Sequence, residues 1–164
     1  MRRLLAVVIV AFVCASPAGA ANVATPKMAQ VASWAAGKPI SVHCENDQTA
    51  WQELSGRYGY NSPSGFTIFS EPVIYIGPAA CAYFSYGDAR LGYGLHTLLH
   101  ESAHQRGFRD EALAECAARL LIYSALHNFY GVPWWSARMS ATAELALTYS
   151  LSQPAEYQGG CARL

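Results

Sequence analysis

The sequence predicts an α+β fold: a small N-terminal β-sheet followed by a helical C-terminal half. Three observations carry this. The first half holds short β-branched and aromatic runs cut by Pro72 and Gly77-Pro78. From Gly94 onward, apolar residues recur at helical spacing instead. No internal repeat or low-complexity tract interrupts the change, so one domain is expected.

The first 20 residues are set apart from that domain. Arg2 and Arg3 precede an apolar run of 12 residues, Leu4 to Ala15, and small residues follow up to Ala20. That order is the pattern of a secretory signal peptide, with cleavage expected after Ala20. The run is shorter than the roughly 20 residues needed to span a bilayer. Residues 21–164 remain, 144 in all (164 − 20), enough for a single core. Losing Arg2 and Arg3 leaves 9 of the 11 Lys and Arg against 11 acids, a net charge near −2. Such a balance gives no reason to expect nucleic acid or an anionic membrane as a partner. The mature chain is expected to be a soluble, exported protein, secreted or periplasmic.

Four cysteines stay with it: Cys44, Cys81, Cys116 and Cys161. An even number in an exported chain favours disulfides. The expected pairing is Cys44–Cys81 within the N-terminal half and Cys116–Cys161 stapling the tail to a helix. A zinc–thiolate site is the competing use, and the absence of any Cys-x-x-Cys spacing argues against it.

The elements follow in order. Residues 24–39 begin polar and become a short helix; 40–46 alternate apolar and polar residues as a strand does; 48–65 hold one helical turn and then turn residues. Residues 66–86 read as two or three short strands, with 72–84 as a candidate sheet edge. Leu95, Leu98, Leu99, Ser102 and Ala103 mark a helix that Gly107 can end in the left-handed conformation. Asp110 can cap a second helix, whose apolar positions include Leu113, Ala117, Leu120, Leu121 and Ala125. Residues 131–135 break it, and 136–151 form a third.

On the first of these helices stands His100-Glu101-Ser102-Ala103-His104, the H-E-x-x-H pattern. Residues four apart lie one above the other on a helix, so both imidazoles can face one ion, zinc by the chemistry of the motif. Glu101 lies about 100° round the cylinder, where it can act as a base on attacking water. A catalytic zinc needs a third protein ligand, and three carboxylates compete: Asp110, Glu111 and Glu115. In a hairpin turning near residue 108, Glu111 comes level with His104 and Glu115 with His100. Glu111 is therefore the expected ligand, with Glu115 holding the second ring nitrogen of His100. Asp110 completes H-E-x-x-H-x-x-G-x-x-D, but the helix after it makes it a natural cap.

The segment from 95 to 121 resembles the gluzincins, through His100, Glu101 and His104 followed by Glu111 and Glu115 on the next helix. With Ala114 and Ala118, it is also similar to the matching segment of CAAX-processing and anti-repressor-type metalloproteases. The resemblance implies a zincin-like fold with a sheet beside the first helix, Zn²⁺, and hydrolysis of peptide bonds in a peptide or protein substrate. Glu115 stands where those families carry Asp, and the interhelical link is shorter than in many gluzincins. Candidate stabilisers of the oxyanion are Tyr93, His96, His127 and Tyr130. His96 is expected to face solvent, with a substrate-side or fourth metal contact as the alternative; His43 and His127 are read as structural. Residues 72–84 are the edge expected to receive an extended substrate. The competing function is a non-enzymatic exported zinc protein whose site braces the hairpin for partner binding.

Overall fold

A computed structural model describes residues 26–61 and 63–163; the expected signal peptide lies outside the described residues. The chain is α+β, as expected, but its first half is less β-rich than its composition suggested. Helix α1 (Pro26–Ala36) precedes strand β1 (Ser41–Cys44), and α2 (Gln48–Arg57) leads to β2 (Gly65–Thr67) and β3 (Val73–Ile76). Helices α3 (Pro78–Ser85), α4 (Leu91–Arg106), α5 (Glu111–Tyr130) and α6 (Ala137–Leu151) follow. The tail ends in two 3₁₀ turns, Ala155–Tyr157 and Gly160–Arg163.

Two segments depart from the expectation for physical reasons. Residues 48–57 form ten residues of helix because Asp47 caps them, its carboxylate accepting from the Ala50 amide at 2.8 Å. Residues 78–85 form α3 because Pro78 sits in the first turn, where its missing N–H costs nothing. Segment 72–84 is therefore no sheet edge: its strand, β3, is the middle one, and the rest is largely helix.

The sheet runs β1-β3-β2, with β1 parallel to β3 and β2 antiparallel to it. Its open edges are β1 and β2. Ile74 and Ile76 enter the core beneath α4, together with Met28 and Val31 of α1, Ile122 and Leu126 of α5 and Met139 of α6. Helix α4 is the hub, and nearly all its side chains are buried. Gly92 permits the close crossing of α4 and α6, since a Cβ there would strike the Thr142 carbonyl. No helix among the described residues is long and apolar enough to cross a membrane.

Both expected disulfides are present, Cys44–Cys81 and Cys116–Cys161, with Cα–Cα distances of 5.8 and 5.0 Å. They close loops of 37 and 45 residues. By the chain-entropy argument each removes about 4 kcal/mol of freedom from the unfolded state. The second ties the tail to α5.

Helix α5 turns a different face inward from the one its apolar residues marked. Ala112, Glu115, Ala118, Ile122 and Ala125 are buried, whereas Leu120 is 66% exposed. The helix is rotated to bring the acidic Glu115 inside. Buried histidines on α4 supply the reason.

Candidate metal centre

Helix α4 carries His96, His100 and His104 one turn apart along its buried length, so their rings must find polar partners inside the protein. The helix ends where the sequence predicts. Gly107 adopts φ 117° and donates to the His104 carbonyl at 2.9 Å, and Phe108 donates to Ala103 at 3.1 Å. Asp110 then accepts from the Leu113 amide at 3.0 Å, starting α5 as its cap rather than reaching the histidines as a ligand. This tight turn lays the first two turns of α5 against α4.

Three atoms converge there. His100 Nε2 and His104 Nε2 are 3.1 Å apart, and Glu111 Oε2 lies 3.0 Å from the first and 3.3 Å from the second. The outer nitrogens fix what these atoms offer. His104 Nδ1 lies 2.6 Å from the Phe108 carbonyl, which can only accept, and His100 Nδ1 lies 3.1 Å from Glu115. Both rings thus carry a proton on Nδ1. In the neutral rings, two lone pairs and a carboxylate oxygen then face one another with no proton between them. Such a group is held together by a proton on one Nε2 or by a metal ion in its place.

A metal ion fits that requirement. For bonds of about 2.0–2.1 Å, tetrahedral ligand atoms stand about 3.3 Å apart, close to the three separations observed. His100, His104 and Glu111 form the group among the described residues able to hold a metal ion. The sequence had left Glu111, Glu115 and Asp110 in competition; the geometry brings Glu111 to the ring nitrogens.

Glu115 stands behind His100. It is 1% exposed and accepts from His96 Nε2 at 2.8 Å, from His100 Nδ1 and from the Ser150 hydroxyl, with Arg119 Nε 3.6 Å away. His96 is accordingly not a solvent-facing residue: it is 2% exposed, and its role is to complete this buried network. Its four-residue spacing from His100 was the visible signal, because a third histidine on a buried face needs a buried acid.

Glu101 differs from every other acid of the site. It is 8% exposed and makes no hydrogen bond or ion pair to a described residue, while its side chain lines two cavities beside the metal ligands. Burial pushes its carboxyl up, against the pull of His100 and His104. Tyr60 and Tyr157 line the first cavity. Burial, and then Glu111 and Glu101, push the Tyr157 hydroxyl up to about 12.

Sequence reasoning missed both tyrosines. Of the four hydroxyl and imidazole groups expected near the reacting atoms, His96 borders the second cavity, and Tyr93, His127 and Tyr130 border neither. His127 instead meets the Val132 carbonyl and the Trp134 ring at the far end of α5. His43 packs beside Tyr75 near Glu45, consistent with a structural role. Tyr157 arrives through the tail: Cys161 bonds to Cys116, the residue after Glu115, and Gln158 bonds to Arg119 and to the Ser150 carbonyl. The expected disulfide was the one signal that could have located it.

The charges give the site a defined response to pH. In the metal-free chain, burial opposes a charged His100, but hydrogen bonds to Glu111 and then Glu115 outweigh it and raise its pKa from 6.5 to about 10. Glu111 is held down to about 2 by His100 and then His104, against burial. Glu115 is also held below the usual carboxylate range; burial opposes this, and the bonds from His100 and His96 overcome it. The raised His100 contributes stability that is full below pH 6.5 and lost as pH rises through about 10. The depressed Glu111 contributes stability present above pH 4.5 and lost as pH falls through about 2. Metal binding has the opposite slope, because an ion must displace the Nε2 protons. Thermal melts with and without zinc are therefore expected to diverge as pH rises from about 5.5 to 8.5. A constant gap across that window would contradict the assigned ligands.

No protein-family model matches the chain, and none of the curated proteins or solved structures matches it. What the fold defines is a two-helix site in which two buried histidines and the half-exposed Glu111 form a group that can hold a metal ion.

Proposed function

We propose that the mature chain is an exported, zinc-dependent metallopeptidase of zincin-like type, with His100, His104 and Glu111 as zinc ligands and Glu101 as the catalytic base. The observation that carries this reading is the Glu101 carboxylate, buried beside the ligand atoms yet bonded to no described residue. A site that only braced two helices would have no use for it. Disulfides fit an oxidising compartment.

Held by His100, His104 and Glu111, a zinc ion would supply Lewis acidity towards a carbonyl oxygen and would make water acidic enough, with a pKa of about 7, to give up a proton at neutral pH. The chain's own groups do the rest. Glu101 takes the proton from the attacking water and delivers it to the leaving amine. The phenol of Tyr157 is the O–H donor on the cavity wall for the developing oxyanion, whereas Tyr60 gives its O–H to the Thr67 carbonyl at 3.4 Å. Strand β2 is an open edge whose Gly65, Phe66 and Thr67 border the same cavity, so an extended peptide can add there as a further strand.

Metal analysis and hydrolysis test the proposal together. The purified mature chain is expected to carry one zinc, to cleave a denatured protein such as casein, and to lose both zinc and cleavage in a chelator until zinc is restored. His100→Ala should bind no zinc. A fully zinc-loaded chain that cleaves no peptide in a broad library would leave the bracing role as the function.

A further inference from the structure

The first of the two cavities beside the metal ligands measures about 140 Å³, and His100, Glu101, His104 and Glu111 all border it. That is below the roughly 300–1,000 Å³ of pockets that hold drug-sized molecules, so it takes one residue of a substrate rather than a run of them. The remaining wall combines two chemistries. Tyr60 and Phe69 present rings that are 41% and 48% exposed, with the buried Phe66 stacked beside Tyr60. Arg109 is the one lysine or arginine among the described residues that line the cavity.

We infer that this cavity binds the last residue of a peptide, with its aromatic or large apolar side chain against Tyr60 and Phe69 and its terminal carboxylate on Arg109, which makes the chain a carboxypeptidase. The inference deepens the peptidase reading and rests on it for the hydrolysis, though not for the binding.

The reason lies in how Arg109 is held. It stands in the turn between two fixed points, the left-handed Gly107 that ends α4 and the Asp110 that caps α5. Its guanidinium carbon lies 4.8 Å from the centre of the Phe69 ring, and that ring meets His104 edge to face at 6.0 Å. Contact with a ring uses the charge of a guanidinium but none of its five N–H donors. Elsewhere those donors are spent on acids, by Arg90 on Asp88 and by Arg119 beside Glu115. Arg109 makes no hydrogen bond or ion pair with a described residue. A free planar fork beside a metal centre suits a carboxylate, which it can hold by two parallel N–H···O bonds.

The dimensions select the end of a chain. A terminal carboxylate lies one residue, about 3.3–3.6 Å, past the carbonyl that would be attacked, so the anion and the reacting carbon fit one small cavity. Phe69, set against both His104 and Arg109, offers its ring to the side chain of that same residue. An internal Asp or Glu brings an acid but no ring, and a lysine or arginine there would be repelled by Arg109. Hydrolysis adds one water across the C–N bond. The hydroxyl joins the carbonyl carbon as the new carboxyl of the shortened chain, and the proton held by Glu101 goes to the amine of the released residue.

Two measurements test this. Arg109 is exposed and holds only Phe69, so Arg109→Gln should fold and melt as the parent does. In the wild-type chain, a peptide ending in phenylalanine should show a kcat/KM about 10–100-fold above the same peptide ending in phenylalanine amide, the range expected for a hydrogen bond to a charged group. Arg109→Gln should bring the two peptides level, and Arg109→Lys should restore part of the gap. Free acid and amide cleaved alike would overturn the inference and leave the peptidase reading standing. Faster cleavage beside an internal Glu would assign Arg109 to side chains and overturn it as well. In the zinc-loaded Glu101→Gln chain, labelled with ¹⁵N in its arginines, the Arg109 Nε resonance is followed while N-acetyl-phenylalanine, its amide or N-acetyl-alanine is added. N-acetyl-phenylalanine should move it at the lowest concentration, and the amide should leave it in place. A still resonance, or parental binding by Arg109→Gln, would put the carboxylate on the metal alone and overturn the inference. Binding at Arg109 in a chain that hydrolyses nothing would overturn the peptidase reading and keep the carboxylate site.

Discussion

Replacing Glu101 with glutamine is expected to lower kcat of the zinc-loaded chain by about 10²–10⁴-fold, the usual contribution of a positioned general base. One equivalent of metal should stay bound. Glutamine keeps the shape of the side chain and cannot accept the proton. No hydrogen bond of the fold depends on the charge, because the Glu101 carboxylate bonds to no described residue, and its attraction to His100 and His104 is outweighed by burial. Burial already disfavours its charged form, so the neutral amide removes a cost of burying charge. The variant should therefore melt no lower than the parent, a sign of function held at the expense of stability. Glu101→Asp, which keeps the base but withdraws it from the water, should fall between the two. Peptide turnover alongside metal content and a thermal melt checks all three statements. Parental rates in Glu101→Gln would remove Glu101 from the reaction.

The hairpin was legible in the sequence because each of its parts has a local cause. Gly107 ends α4, Asp110 begins α5, and the four-residue spacing of His100 and His104 sets both rings on one face. Symmetry about a turn near residue 108 then brought Glu111 level with the histidine pair and Glu115 to the outer nitrogen of His100, as the distances have it. The disulfides follow the division of the chain: Cys44 and Cys81 share the N-terminal half, and Cys161 staples the tail to the helix that carries Cys116.

What could not be read depends on contacts far apart in the chain. The inward face of α5 is set by the polar Glu115 and its partners on α4, not by Leu120, so an apolar stripe misled. Strand β3 became central because β1, a helix and a strand away in sequence, pairs with it in parallel. Tyr60 stands in a turn and Tyr157 in the tail, where no periodicity marks a side chain as inward. The resemblance to gluzincins covered only residues 95–121, and these elements lie outside it.

The second large effect belongs to Glu115, and it separates positioning from chemistry. This carboxylate uses both oxygens: Oε1 accepts from His96 and Ser150, and Oε2 from His100. Glu115→Gln replaces one acceptor with an NH₂, which must then face an imidazole N–H. Either His96 or His100 loses its partner inside the protein, and Arg119 loses the countercharge 3.6 Å from it. Breaking a buried pair in this way costs about 3–5 kcal/mol. For a domain of this size that is on the order of 10 °C in Tm. If His100 is the ring released, its Nδ1–H no longer fixes the direction of Nε2, and zinc affinity should fall by about 10–100-fold. Turnover at saturating zinc should then recover most of its parental value, which it cannot do in Glu101→Gln. Zinc titration against a competing chelator, a thermal melt and turnover at excess zinc distinguish the two acids. Parental zinc affinity in Glu115→Gln would mean that His100 is oriented by the packing of α4 alone.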